Sequence, residues 1–163
     1  MKINFAIRNL FDIFDVRKNK KSFKSSAVSY GKKSREKIMP LYKAPQRDMQ
    51  FVLHELLQTE QSYQTLSKYQ DVVSRALVDQ YLEAAADFCE NELAPINQNG
   101  DQEGCHLDQG IVTTPHGFKE AYNKYVELGF TSLTADPEHG GQGLPTLLRI
   151  AISEMLCGSN DMG

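Results

Sequence analysis

Three glycines, Gly140, Gly141 and Gly143, crowd the chain just ahead of Pro145. A glycine turn that leads from a strand into a helix N-terminus exposes free backbone N–H groups, and such a turn can cradle a phosphate. An extended piece over residues 130–135, the turn, and a helix over residues 146–157 would have that plan. The details count against it. A dinucleotide fingerprint beginning at Gly141 finds Gly143 in second place but Thr146 where the third glycine belongs. No lysine follows the glycines, so the P-loop pattern fails. A plain connection between two helices is the competing reading of the same loop.

Other residues with chemistry are weaker candidates. His54 and Glu55 are adjacent, and adjacent helical residues point about 100° apart. One solvated and one hydrogen-bonded side chain is the expectation, without catalysis. Cys105, His106 and His116 are metal-ligand types, but two are neighbours and no fourth ligand is evident, so no metal site is assigned. Cys89, Cys105 and Cys157 are odd in number and show no C-x-x-C spacing. That argues against a disulfide framework and for a reducing, cytoplasmic compartment.

The elements that must position these residues read as helices. Pro45 and Asp48 suggest a helix start with Asp48 as its cap. Met49, Val52, Leu53, Leu56 and Leu57 then mark one face. A second short helix or turn follows over residues 61–69, with Tyr63, Leu66 and Tyr69 inward. The longest helix is expected over residues 71–94. Leu77, Val78, Tyr81, Leu82, Ala85, Phe88 and Cys89 form its apolar stripe, and Asp79, Glu83, Asp87 and Glu90 a solvated face. Pro95 should end it, leaving a polar loop over residues 96–104. Weak alternation over residues 105–114 suggests a small hairpin. Phe118, Ala121, Tyr122, Tyr125 and Val126 mark a further helix that Gly129 stops. Asp136-Pro137-Glu138 starts the glycine turn, and Pro145 stands where a first helical residue belongs. Leu147, Leu148, Ala151, Ile152, Met155 and Leu156 then repeat at helical spacing, with Ile150 on another side. That helix has little polar face and should be buried or await a partner.

Two strings resemble a known family. Gly129-Phe130, then Asp136-Pro137-Glu138-His139-Gly140-Gly141-Gln142-Gly143-Leu144-Pro145, then Ser153-Glu154-Met155, is similar to the N-terminal domain of FAD-dependent acyl-CoA dehydrogenases. Ala44-Pro45-Gln46-Arg47-Asp48-Met49-Gln50-Phe51-Val52-Leu53-His54-Glu55 resembles the opening of one branch with an N-terminal extension, to which the methylthiopropanoyl-CoA dehydrogenases belong. Cys105, Leu107, Gly110, Val112, Pro115, Gly117 and Phe118 fit a stretch of the same family. The resemblance implies acyl-CoA as substrate, FAD as cofactor of the full-length protein, an electron-transfer flavoprotein as partner, and a homo-oligomer. It implies that the catalytic glutamate and most flavin contacts lie downstream, so no catalytic or cofactor-binding residue is assigned to this chain and no flavin is expected on it alone. Glu154 fits a helix-end position and is read as structural. The most this chain could contribute is a wall of the substrate cavity, from Gly140, Gly141, Gly143 and Met155.

Charge divides the chain. Residues 1–38 carry eleven Lys/Arg against three Asp/Glu, a net of +8. Residues 39–163 carry seven against eighteen, a net of −11, and the two parts together give the chain's −3. The first part reads as a basic arm, a targeting segment, or translated sequence ahead of a true start at Met39, where Met39-Pro40-Leu41-Tyr42-Lys43-Ala44-Pro45 matches the branch opening. No apolar run could span a membrane, and neither nucleic acid nor membrane is assigned as a partner. The expected architecture is an all-α fold with a minor hairpin: an arm over 1–38, extension helices over 39–70, and an acyl-CoA dehydrogenase-type helical domain over 71–163 that lacks the family's middle β and C-terminal helical domains. The expected function is the N-terminal part of such an enzyme, inactive as a fragment. The alternative is a stand-alone helical interaction module.

Overall fold

The computed structural model describes residues 42–160. The basic arm and the Met39–Leu41 opening lie outside the described residues. Within them the fold is helical, with one two-stranded hairpin.

The chain enters as α1 (Gln46–Gln50), which continues directly into a π turn over Phe51–Leu56. Asp48 lies inside the first turn of α1, and Pro45 takes the capping position without a side-chain bond, so the Asp48 cap is corrected. The expected apolar face is corrected too. Met49 and Leu53 are buried, while Val52, Leu56 and Leu57 are exposed. The i→i+5 bonding of the π turn adds a residue to the turn and carries the later positions off the stripe. After α2 (Thr59–Gln64), Tyr63 is buried against the edge of Tyr69, but Leu66 faces out.

The central element is α3 (Arg75–Phe88), opened by Ser74, whose side chain accepts from the Leu77 N–H at 3.2 Å. Pro95 does not end this helix. Proline lacks an N–H and its ring collides with the carbonyl four residues back. A π turn over Cys89–Leu93 relieves both problems, with the Ala94 N–H reaching back to the Cys89 carbonyl. The helix then runs on as α4 (Ala94–Glu103), with Pro95 in its first turn. The segment expected as a polar loop is therefore helical. It packs against the next element: a Cβ on Gly100 would lie 2.6 Å from the Phe118 ring.

The hairpin is β1 (His106–Asp108) against β2 (Ile111–Thr113), antiparallel, with Leu107 opposite Val112. Gln109 and Gly110 both take positive φ, as a two-residue hairpin turn demands. Helix α5 (Phe118–Glu127) follows and stops at Gly129. The expected strand over 130–135 is absent; Phe130–Ser132 is a 3-10 turn. Helix α6 (Thr146–Ser159) packs on α3 and on the π turn. Pro145 stands one residue ahead of α6, in an extended conformation, and not as its first residue.

The core lies between α3 and α6. Leu82, Leu93, Leu133, Leu148, Ile152 and Met155 are fully buried, each worth roughly 1.5–3 kcal/mol relative to exposure. Phe88, Tyr125 and Phe130 stack with centroids 5.8–6.2 Å apart and tie α5 to α3. At the far end of α6, the Asn160 side chain donates to the Leu93 carbonyl at 3.0 Å and fastens the helix to the π turn.

The acidic side of α3 and of the π turn after it is more than a solvated face. Asp79 accepts from Gln50 Nε2 at 3.0 Å and bonds His54 Nε2 at 2.8 Å. Glu90 accepts from Lys43 Nζ at 2.6 Å and from the Ala44 N–H at 3.0 Å. These carboxylates hold the extension onto α3 and the π turn that follows it. Tyr42 completes the attachment by lying over Gly158 of α6, where a Cβ would meet its ring at 3.3 Å.

Candidate functional site

The glycine loop is built from the bottom by backbone bonds. Asp136 Oδ1 accepts from the Glu138 N–H at 2.9 Å, and Pro137 starts a 3-10 turn over Pro137–His139. Gly140 closes it at φ +82°. The chain then doubles back along its own entry. Gly141 N–H donates to Asp136 O, Gln142 N–H to Ser132 O, Gly143 N–H to Ala135 O and Leu144 N–H to Leu133 O, at 2.9–3.0 Å. Gly140 N–H donates to Pro137 O at 3.2 Å.

These bonds bear on the phosphate reading of the glycines. A phosphate cradle needs N–H groups that are free to point at the ligand. Every backbone N–H from Gly140 to Leu144 is already spent on a carbonyl of the same loop. The glycine turn itself therefore has no free N–H to offer the pyrophosphate of a nucleotide or a flavin cofactor. It is a self-bonded turn.

The loop is a glycine loop for steric reasons. A Cβ on Gly141 would lie 2.1 Å from the Ala135 carbonyl oxygen, a contact that only backbone movement could relieve. Gly143 sits at φ +65° against the Pro137 ring.

Of the four residues expected to wall a cavity, the three glycines share one loop and Met155 belongs to α6. Gly140 is exposed, Gly141 half-buried and Gly143 buried within the loop. Met155 is fully enclosed in the core from α6. His54 and Glu55 separate as expected: His54 is buried against Asp79, and Glu55 meets Arg75 at the surface. Cys105 is exposed, and the His116 N–H donates to Glu103. Among the described residues no group of His, Cys, Asp and Glu could hold a metal ion.

Sequence reasoning passed over Gln142, which stands between the glycines. Its Nε2 donates to the Gly129 carbonyl at 2.7 Å, and its Oε1 accepts from the Tyr81 hydroxyl. Tyr81 is buried on α3, and that burial pushes its phenol up to about 12. The signal in the sequence was a polar residue with two-sided hydrogen-bonding capacity inside an otherwise featureless glycine run.

A family profile described as "Acyl-CoA dehydrogenase, N-terminal domain" matches residues 78–160, which runs from α3 through the loop to the end of α6. The chain belongs to the acyl-CoA dehydrogenase family. The 3-methylmercaptopropionyl-CoA dehydrogenase of Ruegeria pomeroyi is 37% identical over 117 residues, covering 71% of this chain and 19% of that protein. The butyryl-CoA dehydrogenase of Syntrophomonas wolfei is 29% identical over 117 residues, covering 70% of this chain and 19% of that protein. This acyl-CoA dehydrogenase segment thus spans about a fifth of the length of these two relatives. No helix among the described residues is long and apolar enough to cross a membrane.

Proposed function

We propose that this chain serves as the N-terminal helical part of an FAD-dependent enzyme that introduces a double bond between Cα and Cβ of an acyl-CoA thioester. The observation that supports this most directly is the family match running from α3 to α6, through the glycine loop. The relatives named above act, by their names, on thioesters with short acyl groups. A short-chain acyl-CoA is accordingly the proposed substrate class.

The flavin supplies a hydride acceptor when bound, and the glycine loop of this chain is not its seat. No carboxylate here takes the role of proton-abstracting base. The contribution of the chain is a fixed rim, Gly140–Gly141–Gly143, that walls the thioester cavity. The chain alone is inactive and binds no flavin. The complete enzyme is a cytoplasmic homo-oligomer that passes electrons to a flavoprotein carrier. By sequence, residues 1–38 are a basic segment or lie ahead of the true start, 39–70 the extension and 71–163 the helical domain proper.

The test is to tag the gene at its N-terminus, purify the product from its own cells and record its visible spectrum. A flavin band that bleaches on adding a short acyl-CoA is the expected result. A product with the mass of this chain, no flavin and no response to acyl-CoA overturns the proposal. That second outcome would support a stand-alone interaction module, which the exposed apolar hairpin also favours.

A further inference from the structure

We propose that Gln142 is the positioning residue of the glycine loop: one side-chain amide clamps the loop to α3 through the Tyr81 hydroxyl and to the end of α5 through the Gly129 carbonyl. The inference deepens the cavity-wall reading above and takes its functional meaning from it. The hydrogen bonds themselves stand without it.

Donor and acceptor roles leave the amide a single orientation. The Gly129 carbonyl can only accept, so the group facing it, at 2.7 Å, must be the Nε2 donor. That turns Oε1 toward Tyr81, whose hydroxyl then donates. Flipping the amide would set two oxygens face to face at Gly129. The space is reserved as well. A Cβ on Gly129, at φ +75°, would lie 2.5 Å from Gln142 Nε2. Glycine at 129 therefore ends α5 and makes room for the clamp at the same time.

The clamp adds something that the backbone bonds do not. The 136–144 bonds all run within the loop and the segment that enters it. They fix the shape of the loop but not its placement against the helices. Gln142 joins it to two helices distant in sequence, 61 residues away at Tyr81 and 13 at Gly129. Through Gln142, the position of the rim is set by a phenol buried on α3.

A carboxyl group at this position gives the decisive test. The Gln142→Glu variant keeps the side-chain length. When protonated, its carboxylic acid donates to the Gly129 carbonyl and accepts from Tyr81, reproducing the amide's two bonds. When ionised it has no donor, and it sets a negative oxygen against the Gly129 carbonyl. Amide exchange of the full 163-residue chain, corrected for intrinsic rates, reads this directly at Gly143 and Leu144. The wild-type protection factors should be flat between about pH 4 and pH 7. Those of the variant should match wild type at the acid end and fall about tenfold as the carboxyl ionises, near or above the ordinary glutamate value of about 4.3. Amides in the α3–α6 core should not follow this step. Should the variant fail to fold, Tyr81→Phe removes a single hydroxyl and should raise exchange at the same two amides by a similar factor.

Flat protection in Gln142→Glu across that range overturns the proposal, and so does an unchanged loop in Tyr81→Phe. The cavity-wall reading has its own readout, the KM for a short acyl-CoA in the flavin-containing enzyme. A pH step in protection with an unmoved KM keeps the clamp and removes the wall.

Discussion

At the scale of single residues, the loop separates two reasons for glycine. Gly141 is needed for space, since its missing Cβ would strike the Ala135 carbonyl at 2.1 Å. Gly140 is needed for conformation, with φ +82° and nothing within 4 Å of a Cβ. Gly140→Ala should cost about 1 kcal/mol, the left-handed penalty alone. Gly141→Ala should cost about 2–3 kcal/mol, because backbone must move. Denaturant midpoints of the two variants check the order, and equal costs would mean that the loop relaxes around position 141. Cys89 makes a second residue-scale case. It is fully buried and its thiol is pushed up to about 11, by burial first, against a lowering hydrogen bond with Ser159 and with a small raising effect from Glu90. Cys105 and Cys157 are exposed. A disulfide reagent at about pH 8 should therefore label two thiols quickly, and the third only as the chain unfolds. Three fast thiols would show that α3 and α6 part readily.

At the scale of elements, the extension is held by carboxylates of α3 and of the π turn that follows it, not by a continuous apolar face. Asp79 is the first anchor. His54 is buried with Nε2 on Asp79, while its Nδ1 has no hydrogen-bond partner. Asp79→Ala would leave the ring without its acceptor and should cost about 1–3 kcal/mol. Faster proteolysis between α1 and α2, with the α3–α6 core intact, is the expected pattern. Glu90 is the second anchor. Its carboxyl lies below the ordinary value of 4.5, chiefly through the Lys43 hydrogen bond, with the Ala44 N–H adding and burial opposing. A depressed carboxylate stabilises the fold above its unfolded value, and that stabilisation is lost as pH falls through the folded value. The gap in Tm between wild type and Lys43→Met should be open near neutral pH and close on acidification below about pH 4.5. A gap independent of pH would mean that Lys43 acts only through its aliphatic stem. None of these anchors was legible in the sequence, because Asp79 lies 25 residues from His54 and Glu90 lies 47 from Lys43. The stripes of α3 and α6 were legible, since helical spacing is local. The π turns were not. Pro95 reads as a terminator unless the widened turn before it is known, and the turn at Phe51–Leu56 rotates an apolar face that spacing alone puts inward.

At the scale of the whole described unit, the core is satisfied on one side and bare on others. The hairpin shows this most clearly. Leu107, Ile111 and Val112 are 73%, 70% and 63% exposed, on both faces of the ribbon. Two strands without a covering layer are marginal in water. The ribbon also offers two unpaired edges, which other chains can extend. Ile150 on α6 and Tyr122 on α5 add exposed apolar area, so the helix that looked short of polar face from its sequence is buried along one side only. Glycine-loop residues are the reverse case: their N–H groups are all paired, and the loop offers little to a neighbour except shape. Association should therefore run through the hairpin. The isolated chain should self-associate with rising concentration in sedimentation velocity, and it should bind a hydrophobic dye while keeping its helical circular dichroism. Replacing Leu107, Ile111 and Val112 together by serine should shift it toward monomer and weaken dye binding, with the α3–α6 core unchanged because none of the three side chains is part of it. Serine replacements that leave association intact would move the sticky surface from the hairpin to the exposed Phe51, Val52, Leu56 and Leu57 or to the exposed flank of α5 and α6. A parent chain that stays monomeric and dye-free at all concentrations would show that the ribbon is stable uncovered, contrary to what its composition and exposure require.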